Sequence, residues 1–251
     1  MATALVTGAT SGIGHGFATR LASDGFDMVL VARDQRRLDT TATELADTGV
    51  GVEVIAADLG KPDQLRQVED RLTDGQRPID MLVNNAGFGL NQRFVGGDID
   101  AEQSLIDVMV TAVMRLTHAA VPGMVARGHG AVINVSSIAS FLPFGTYSAA
   151  KSWTTFFTEG LATELEGTGV RVGMVRPGPA STEQGTSWSE ETVLHVMPAW
   201  ERWGHLRHSG ALRPQEIAEA IVTMVSVPKG THYTLIEVEP EAPVDPDRSH
   251  H

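Results

Sequence analysis

The chain has 251 residues, 42% of them hydrophobic and 20% charged, the balance of a globular protein large enough for one sizeable core. Nineteen basic against thirty-one acidic side chains give a net charge of −12, which argues against nucleic acid or an anionic membrane as a partner. There is no cysteine, so disulfides and thiolate metal sites are excluded, and a cytoplasmic location is the simplest expectation.

The chain runs straight into a strand pattern at Ala4-Leu5-Val6 with no charged leader. No uninterrupted apolar run reaches about 18 residues, so neither a signal peptide nor a membrane span is expected. Residues 2–7 form an apolar strand that breaks into Gly8-Ala9-Thr10-Ser11-Gly12-Ile13-Gly14. Helical periodicity then resumes through Phe17, Ala18, Leu21 and Ala22. Strand, glycine turn and helix in this order suit a dinucleotide: glycines allow positive φ and close approach, and a helix N-terminus favours a pyrophosphate. The spacing is Gly-x-x-x-Gly-x-Gly, not the common Gly-x-Gly-x-x-Gly.

A second strand is expected at 27–32. Its end carries no acid to hold a ribose hydroxyl; Arg33 stands there instead, followed by Arg36 and Arg37. Arginines at that place suit a ribose 2′-phosphate through charge-assisted hydrogen bonds, so NADP(H) is expected in preference to NAD(H). A helix follows at 38–47, and a third strand at 51–57 ends at Asp58. Pro62 at a first-turn position and the spacing of Leu65, Val68 and Leu72 mark a further helix. The fourth strand, 79–83, closes on Asn84-Asn85-Ala86-Gly87. Strands alternating with helices imply a parallel sheet with right-handed crossovers.

A long helix is expected at 101–127, apolar round most of its surface and buried on the sheet and at a subunit contact. The run 131–135 is the fifth strand and ends in two hydroxyls, Ser136 and Ser137. A loop bearing Pro143 and Gly145 leads to Tyr147, which opens a helix extending to about 167. Tyr147 and Lys151 are four apart and share a helix face. A phenol has a pKa of about 10, and bringing it to about 7 takes about 4 kcal/mol. An ammonium at about 4 Å supplies about that at an effective dielectric near 20, and a serine hydroxyl on the same substrate oxygen would stabilise developing charge.

The sixth strand is expected at 170–175, the last helix at 214–227 and the last strand at 233–238. Between them, in 183–212, Val193, Met197, Trp200 and Trp203 recur at helical spacing, which fits a short amphipathic helix that either packs on the core or a partner subunit or roofs an apolar pocket. Phe88, Leu90, Phe141 and Phe144 fall in loops at the carboxyl ends of strands, where ligands of open α/β sheets bind. His195, His205 and His208 show no metal-ligand spacing, and no metal site is expected. The tail after 238 is acidic and proline-bearing, and Arg248-Ser249-His250-His251 reads as the start of a purification tag. No linker or repeat divides the chain, so 1–247 is read as one domain.

Taken together, Thr7-Gly8-x-x-x-Gly12-x-Gly14, Asn84-Asn85-Ala86-Gly87, Ser137, Tyr147-x-x-x-Lys151 and Pro177-Gly178 resemble the short-chain dehydrogenase/reductase family from residue 2 to about 240. The resemblance implies an α/β fold, a Rossmann-type doubly wound parallel sheet with helices on both faces. It implies hydride transfer between NAD(H) or NADP(H) and a carbonyl or secondary alcohol of a small molecule, a variable lid at 183–212 over the substrate, and a homodimer or homotetramer; a roof built from the apolar stripe of that lid would suit apolar substituents. It makes Tyr147 the general acid of reduction and assigns Lys151 to the phenol and the ribose hydroxyls. A serine of the Ser136–Ser137 pair would orient the carbonyl, and the motif register favours Ser137. Cofactor contacts implied by the match are Gly8, Thr10, Ser11, Gly12, Ile13, Gly14, Arg33, Asp58, Leu59, Asn85, Ala86, Gly87, Tyr147, Lys151, Pro177, Gly178 and Thr182. Two departures stand out. The Ser137–Tyr147 connection is shorter than the family pattern, and Met109 stands where many members carry an asparagine that kinks the long helix and holds a proton-relay water. A thioether does that work poorly, so a cofactor-binding protein without efficient turnover is the alternative expectation.

Overall fold

A computed structural model describes residues 1–142, 145–181, 211–225 and 231–240. Seven parallel strands are ordered β3-β2-β1-β4-β5-β6-β7: β1 (Thr3–Thr7), β2 (Asp27–Ala32), β3 (Val52–Ala56), β4 (Met81–Asn84), β5 (Gly130–Val135), β6 (Val170–Pro177) and β7 (Leu235–Val238). The central strands are apolar on both faces, as a parallel sheet covered on both sides requires: β4 is buried at every position and β1 at its last four. The order reverses between β1 and β4, which places a crevice at the carboxyl edge of the sheet between them.

The helices are α1 (Gly12–Ser23), α2 (Gln35–Ala46), α3 (Pro62–Thr73), α4 (Ile99–Ile106), α5 (Val113–Arg127), α6 (Gly145–Glu164) and α7 (Pro214–Val225). They fill two cores. On one face, Phe17 and Leu21 of α1 and Ile217 and Ile221 of α7 pack on Val6, Leu30 and Val83. On the other, Leu65 and Val68 of α3 and Leu116 and Met124 of α5 pack on Leu5, Leu82 and Val132. This is the doubly wound α/β architecture expected from the sequence.

Several boundaries move by a few residues, as where β6 runs on to Pro177 and β7 starts at Leu235, and four points need comment. Helix α2 begins at Gln35 rather than 38, because Asp34 caps it by accepting from the Arg37 backbone N–H at 3.1 Å. Strand β4 sits later than 79–83 and includes Asn84, whose side chain is bonded inside the core. The long helix is interrupted: a π-helical turn, Asp107–Ala112, separates α4 from α5. Finally, Ile99–Arg127 as a whole is long and apolar enough to cross a membrane, with a mean hydropathy of 1.4 over its best window. The sequence criterion counted uninterrupted apolar residues and missed a helix with scattered polar ones. Leu105, Met109, Leu116 and Met124 of this helix are buried within the protein, so it serves as a core helix. The lid at 183–212 lies outside the described residues except for 211 and 212, and the tail beyond 240 and the tag lie outside them as well.

Candidate active site

The β1–α1 turn is dictated by backbone geometry. Gly8 (φ 67°) and Gly12 (φ 52°) are left-handed, a region that costs any residue with a Cβ about 1–2 kcal/mol. Gly14 has no room for a side chain: a Cβ there would lie 2.2 Å from the Gly8 carbonyl oxygen and 2.4 Å from Asn85 Nδ2. Ser11 caps α1 in an extended conformation, and its hydroxyl makes no capping hydrogen bond, so the first backbone N–H groups of α1 are not satisfied by the cap side chain. Beside it, Thr10 and Ile13 are half-buried. A turn of this kind admits a pyrophosphate against the backbone, so these residues fit a dinucleotide.

The turn is tied to the end of β4. Thr7 Oγ1 accepts from the backbone N–H groups of Asn85 and Ala86, both at 3.0 Å, and donates to the Val83 carbonyl. Asn85 Nδ2 donates to the Thr7 carbonyl at 2.9 Å. The Asn85 amide thus holds the two loops together, a task its sequence assignment as a cofactor contact does not include. Gly87 is exposed, and a Cβ on it would press on Met109, whose Cγ would be 3.4 Å away. Asp58 follows β3, half-buried, with Oδ1 accepting from the Gly60 N–H at 3.1 Å, and Leu59 is buried beside it. Pro177 ends β6, and Gly178 just after it donates its N–H to the Val238 carbonyl at 2.8 Å. Thr182 lies outside the described residues, as does Phe144.

The arginines divide. Arg33 is exposed just past β2. Arg37 reaches from α2 to the turn and donates to the Thr10 carbonyl at 3.2 Å. Arg36, Arg37, Thr10 and the His15–Glu44 pair, at 3.2 Å, line a cavity of about 370 Å³ beside the turn, and Arg33 is not among its lining residues. The arginine triplet was visible in the sequence; that its last member bonds the turn was not.

The β5–α6 region is built from side chains. Ser136 is buried, and its hydroxyl pairs with Thr155 Oγ1 at 2.9 Å and donates to the Lys151 carbonyl at 3.2 Å, so it docks α6 on β5. Ser137 is half-buried and accepts from the Ala139 N–H at 3.1 Å, at the head of a 3-10 turn, Ile138–Phe141. Of the two hydroxyls, that of Ser137 is the one not held against α6. The Lys151 ammonium donates to the Val135 carbonyl at 2.7 Å and stands 5.9 Å from the centre of the Tyr147 ring. Burial pushes the Lys151 pKa down from 10.5 to about 8.

Beneath these groups runs a buried amide ladder. Asn84 Nδ2 donates to Thr117 Oγ1 at 3.0 Å and to Asn134 Oδ1 at 2.9 Å, and Asn134 Nδ2 donates to Thr158 Oγ1 at 2.9 Å. It joins β4, β5, α5 and α6. The only sequence signal for it was an asparagine interrupting the apolar run of β5.

Met109 is buried in the π-helical turn and clusters with Leu105, Ala150, Phe88, Leu90 and Tyr147. The helix is therefore distorted at this point without an asparagine to distort it, and the phenol is bordered by apolar side chains. Among the described residues no group of His, Asp and Glu has the arrangement of a metal site.

The family described as short chain dehydrogenase matches residues 2–192. Sulfoacetaldehyde reductase 2 of Chromohalobacter salexigens is 32% identical over 247 residues, covering 94% of this chain and 93% of that protein. Among solved structures, a short-chain dehydrogenase from Sphingobium yanoikuyae in complex with NADPH aligns at 35% identity with a TM-score of 0.79, covering 94% of this chain and 87% of that one. The L-sorbose reductase of Gluconobacter frateurii, complexed with NADPH and L-sorbose, aligns at 29% identity with a TM-score of 0.81, covering 96% and 95%. By sequence and by fold, the chain belongs to the short-chain dehydrogenase family of oxidoreductases.

Proposed function

We propose that the protein interconverts a carbonyl and a secondary alcohol on a small molecule, with NADP(H) preferred over NAD(H), Ser137 and Tyr147 on the substrate oxygen and Lys151 behind the phenol. The observation that carries this reading is the buried Lys151 ammonium, 5.9 Å from the Tyr147 ring and beside the strand that delivers Ser137. The cofactor supplies or accepts the hydride when bound; Gly8, Thr10, Ser11, Gly12, Ile13 and Gly14 would hold its pyrophosphate, Asp58 and Leu59 its adenine, Asn85, Ala86 and Gly87 its ribose, Pro177, Gly178 and Thr182 its amide, and Arg33 its 2′-phosphate. In reduction, Tyr147 Oη gives its proton to the forming alkoxide while the Ser137 hydroxyl donates a hydrogen bond to the same oxygen. The Lys151 charge stabilises the phenolate left behind; measured to the ring centre, the Coulomb attraction at an effective dielectric of about 20 is about 3 kcal/mol.

The relatives act, by name, on sulfoacetaldehyde and L-sorbose, so kinship does not choose the substrate. The apolar reading rests on this chain's own Phe88, Leu90 and Met109 around Tyr147. The alternative, a cofactor-binding protein without efficient turnover, rests on Met109 alone, and the reductase names of the relatives speak for turnover.

The decisive experiment is NADPH oxidation with a ketone and aldehyde panel, repeated with Tyr147→Phe. Loss of a general acid lowers turnover by about 10² to 10⁴, while NADPH binding by fluorescence titration should persist. Turnover within about threefold of wild type would sink the assignment of Tyr147.

The protein is also proposed to be a homo-oligomer through α5 and α6. Their outer faces leave Met114 46%, Val125 37% and Phe156 73% exposed, and a self-complementary contact would cover them isologously. Light scattering at micromolar concentration should give a dimer or tetramer; a monomer refutes it.

A further inference from the structure

Asn84, Thr117, Asn134 and Thr158 are each no more than 4% exposed, and their side chains form one directed chain of hydrogen bonds. The Asn84 amide donates both its N–H groups, to Thr117 Oγ1 and to Asn134 Oδ1; Asn134 Nδ2 donates to Thr158 Oγ1, and Thr158 Oγ1 donates to the Thr154 carbonyl at 2.6 Å. Asn84 and Asn134 are cross-strand partners in β4 and β5. With its oxygen held by Asn84, the Asn134 amide presents its nitrogen to α6. A dry polar chain is a costly way to fill space, since apolar groups of the same shape can replace both partners of a buried bond at little loss of stability. What apolar groups lack is direction. Their contact is non-directional and lets a helix slide along a strand, whereas hydrogen bonds at 2.9 Å admit one register.

That register bears on the reacting pair. Asn134, Val135 and Ser136 are consecutive in β5, and each is bonded to α6: Asn134 to Thr158, the Val135 carbonyl to the Lys151 ammonium, and Ser136 to Thr155 and the Lys151 carbonyl. Lys151, Thr155 and Thr158 recur at helical spacing, with Tyr147 about one turn before Lys151 and Thr158 about two turns after it. The Asn134 bond continues through Asn84 into β4, and the residue after Asn84 is Asn85, whose amide ties the glycine turn. We propose that Asn134, oriented by Asn84, is a positioning residue: it fixes how far α6 lies along β5, and with that where Tyr147 and Lys151 stand relative to the loop from Asn85 to Gly87. The proposal rests on the reading of Tyr147 and Lys151 as the reacting pair. Both ride on α6, so the ladder sets their place in the site and leaves the distance between them unchanged.

The test compares wild type with Thr158→Val, Thr158→Ser and Thr117→Val. Each valine removes one hydroxyl from the same ladder and strands one amide N–H, but only the first loosens α6, because Thr117 belongs to α5. Both should lower the melting temperature to a similar extent. With NADPH and whichever ketone or aldehyde the wild type reduces fastest, Thr158→Val should lower kcat about tenfold: a misplacement of about 1 Å can cost about 10² in rate, and the Val135 and Ser136 bonds limit the shift. NADPH affinity should stay within about threefold of wild type, and the midpoint of the pH profile of kcat should not move. Thr117→Val should keep kcat within about twofold, and Thr158→Ser, which retains the hydroxyl, should recover it. Wild-type kcat in Thr158→Val, or equal losses in the two valine variants, would overturn the proposal. Crystal structures of the valine variants need no turnover: relative to the sheet, the Tyr147 Cα should shift by about 0.5 Å, the tolerance of a productive site, in Thr158→Val and stay in place in Thr117→Val. If the wild type reduces no carbonyl, the proposed reaction fails, and that shift decides the positioning role by itself. If either valine variant does not fold, cysteine at the same position, which keeps the volume and weakens the bond, makes the same comparison.

Discussion

The β1–α1 turn and the β5–α6 connection both lie at the carboxyl edge of the sheet, yet they are specified by different physics. In the turn the backbone is the functional surface: Gly8 and Gly12 are left-handed, and Gly14 is excluded from bearing a Cβ. In the connection the side chains are the surface, and they are held by bonds between distant parts of the chain: Ser136 to Thr155, Lys151 to the Val135 carbonyl, Asn134 to Thr158. A turn of the first kind tolerates almost no change of residue at its glycines. A connection of the second kind tolerates substitutions that keep the fold while losing the placement of a single proton or charge.

The sharpest way to break the turn is Gly14→Ala. The added carbon would meet the Gly8 carbonyl and the Asn85 amide at well under van der Waals distance, and neither is a flexible chain end. Overpacking of this kind costs about 1–3 kcal/mol or more, and displacing a cofactor by about 1 Å can cost about 10² in rate. The expected outcome is a loss of about 10² in kcat/KM for NADPH together with a lower melting temperature. Binding within about threefold of wild type would show that the turn relaxes and that its backbone shape does not set cofactor affinity.

The connection is probed through Lys151. Its folded pKa is lowered to about 8 from 10.5, so between those values the unfolded chain binds more protons than the folded one, and stability rises with pH through that window. Below about pH 8 both states carry the charge and the burial penalty, about 3 kcal/mol at 1.36 per unit, is present in full. Lys151→Met has no such rise. It also strands the Val135 carbonyl, at a cost of about 1–3 kcal/mol, so the two proteins should be of similar stability at pH 7. By pH 10.5 the wild type should be ahead by about 2–3 kcal/mol in urea denaturation of the cofactor-free protein. Parallel stability curves from pH 7 to 10.5 would show that the ammonium is not desolvated. The variant should be inactive throughout, which separates what the lysine does for the reaction from what it costs the fold.

The same contrast explains what could be read from the sequence. The alternation of strands and helices, the glycine turn and the Tyr147/Lys151 face follow from local patterns, because each is set by residues within a few positions of one another. The Asn84–Asn134–Thr158 ladder was not legible, since its members lie on three elements and each alone looks like a polar residue in an apolar run. The π-helical turn at Asp107–Ala112 left no local mark either; the residues DVMVTA suit an ordinary helix, and tertiary packing imposes the wider turn. The role of Ser136 in docking α6, and so the division of labour with Ser137, needed the register of β5 against α6.

The smallest effects are expected where the turn meets solvent, and they ask whether charge or shape selects the cofactor there. Arg33 is exposed beyond β2, whereas Arg37 bonds the Thr10 carbonyl and so shapes the turn itself. If Arg33 meets a 2′-phosphate, Arg33→Ala removes a charge-assisted contact that only NADPH makes. At about 1.4 kcal/mol per tenfold, loss of such a contact at an exposed position should raise the NADPH KM about tenfold and leave that for NADH within about twofold. Arg37→Ala instead removes a hydrogen bond to the turn backbone, worth about 0.5–1.5 kcal/mol, so both cofactors should weaken by about threefold. Steady-state kinetics with each nucleotide decides between them. Equal losses for NADPH and NADH in Arg33→Ala would overturn its assignment, and a loss confined to NADPH in Arg37→Ala would move the phosphate contact to the cavity that Arg36 and Arg37 line. In that event the arginine that reads the phosphate is also the one that braces the turn, and charge and backbone shape would no longer be separable on this side of the crevice.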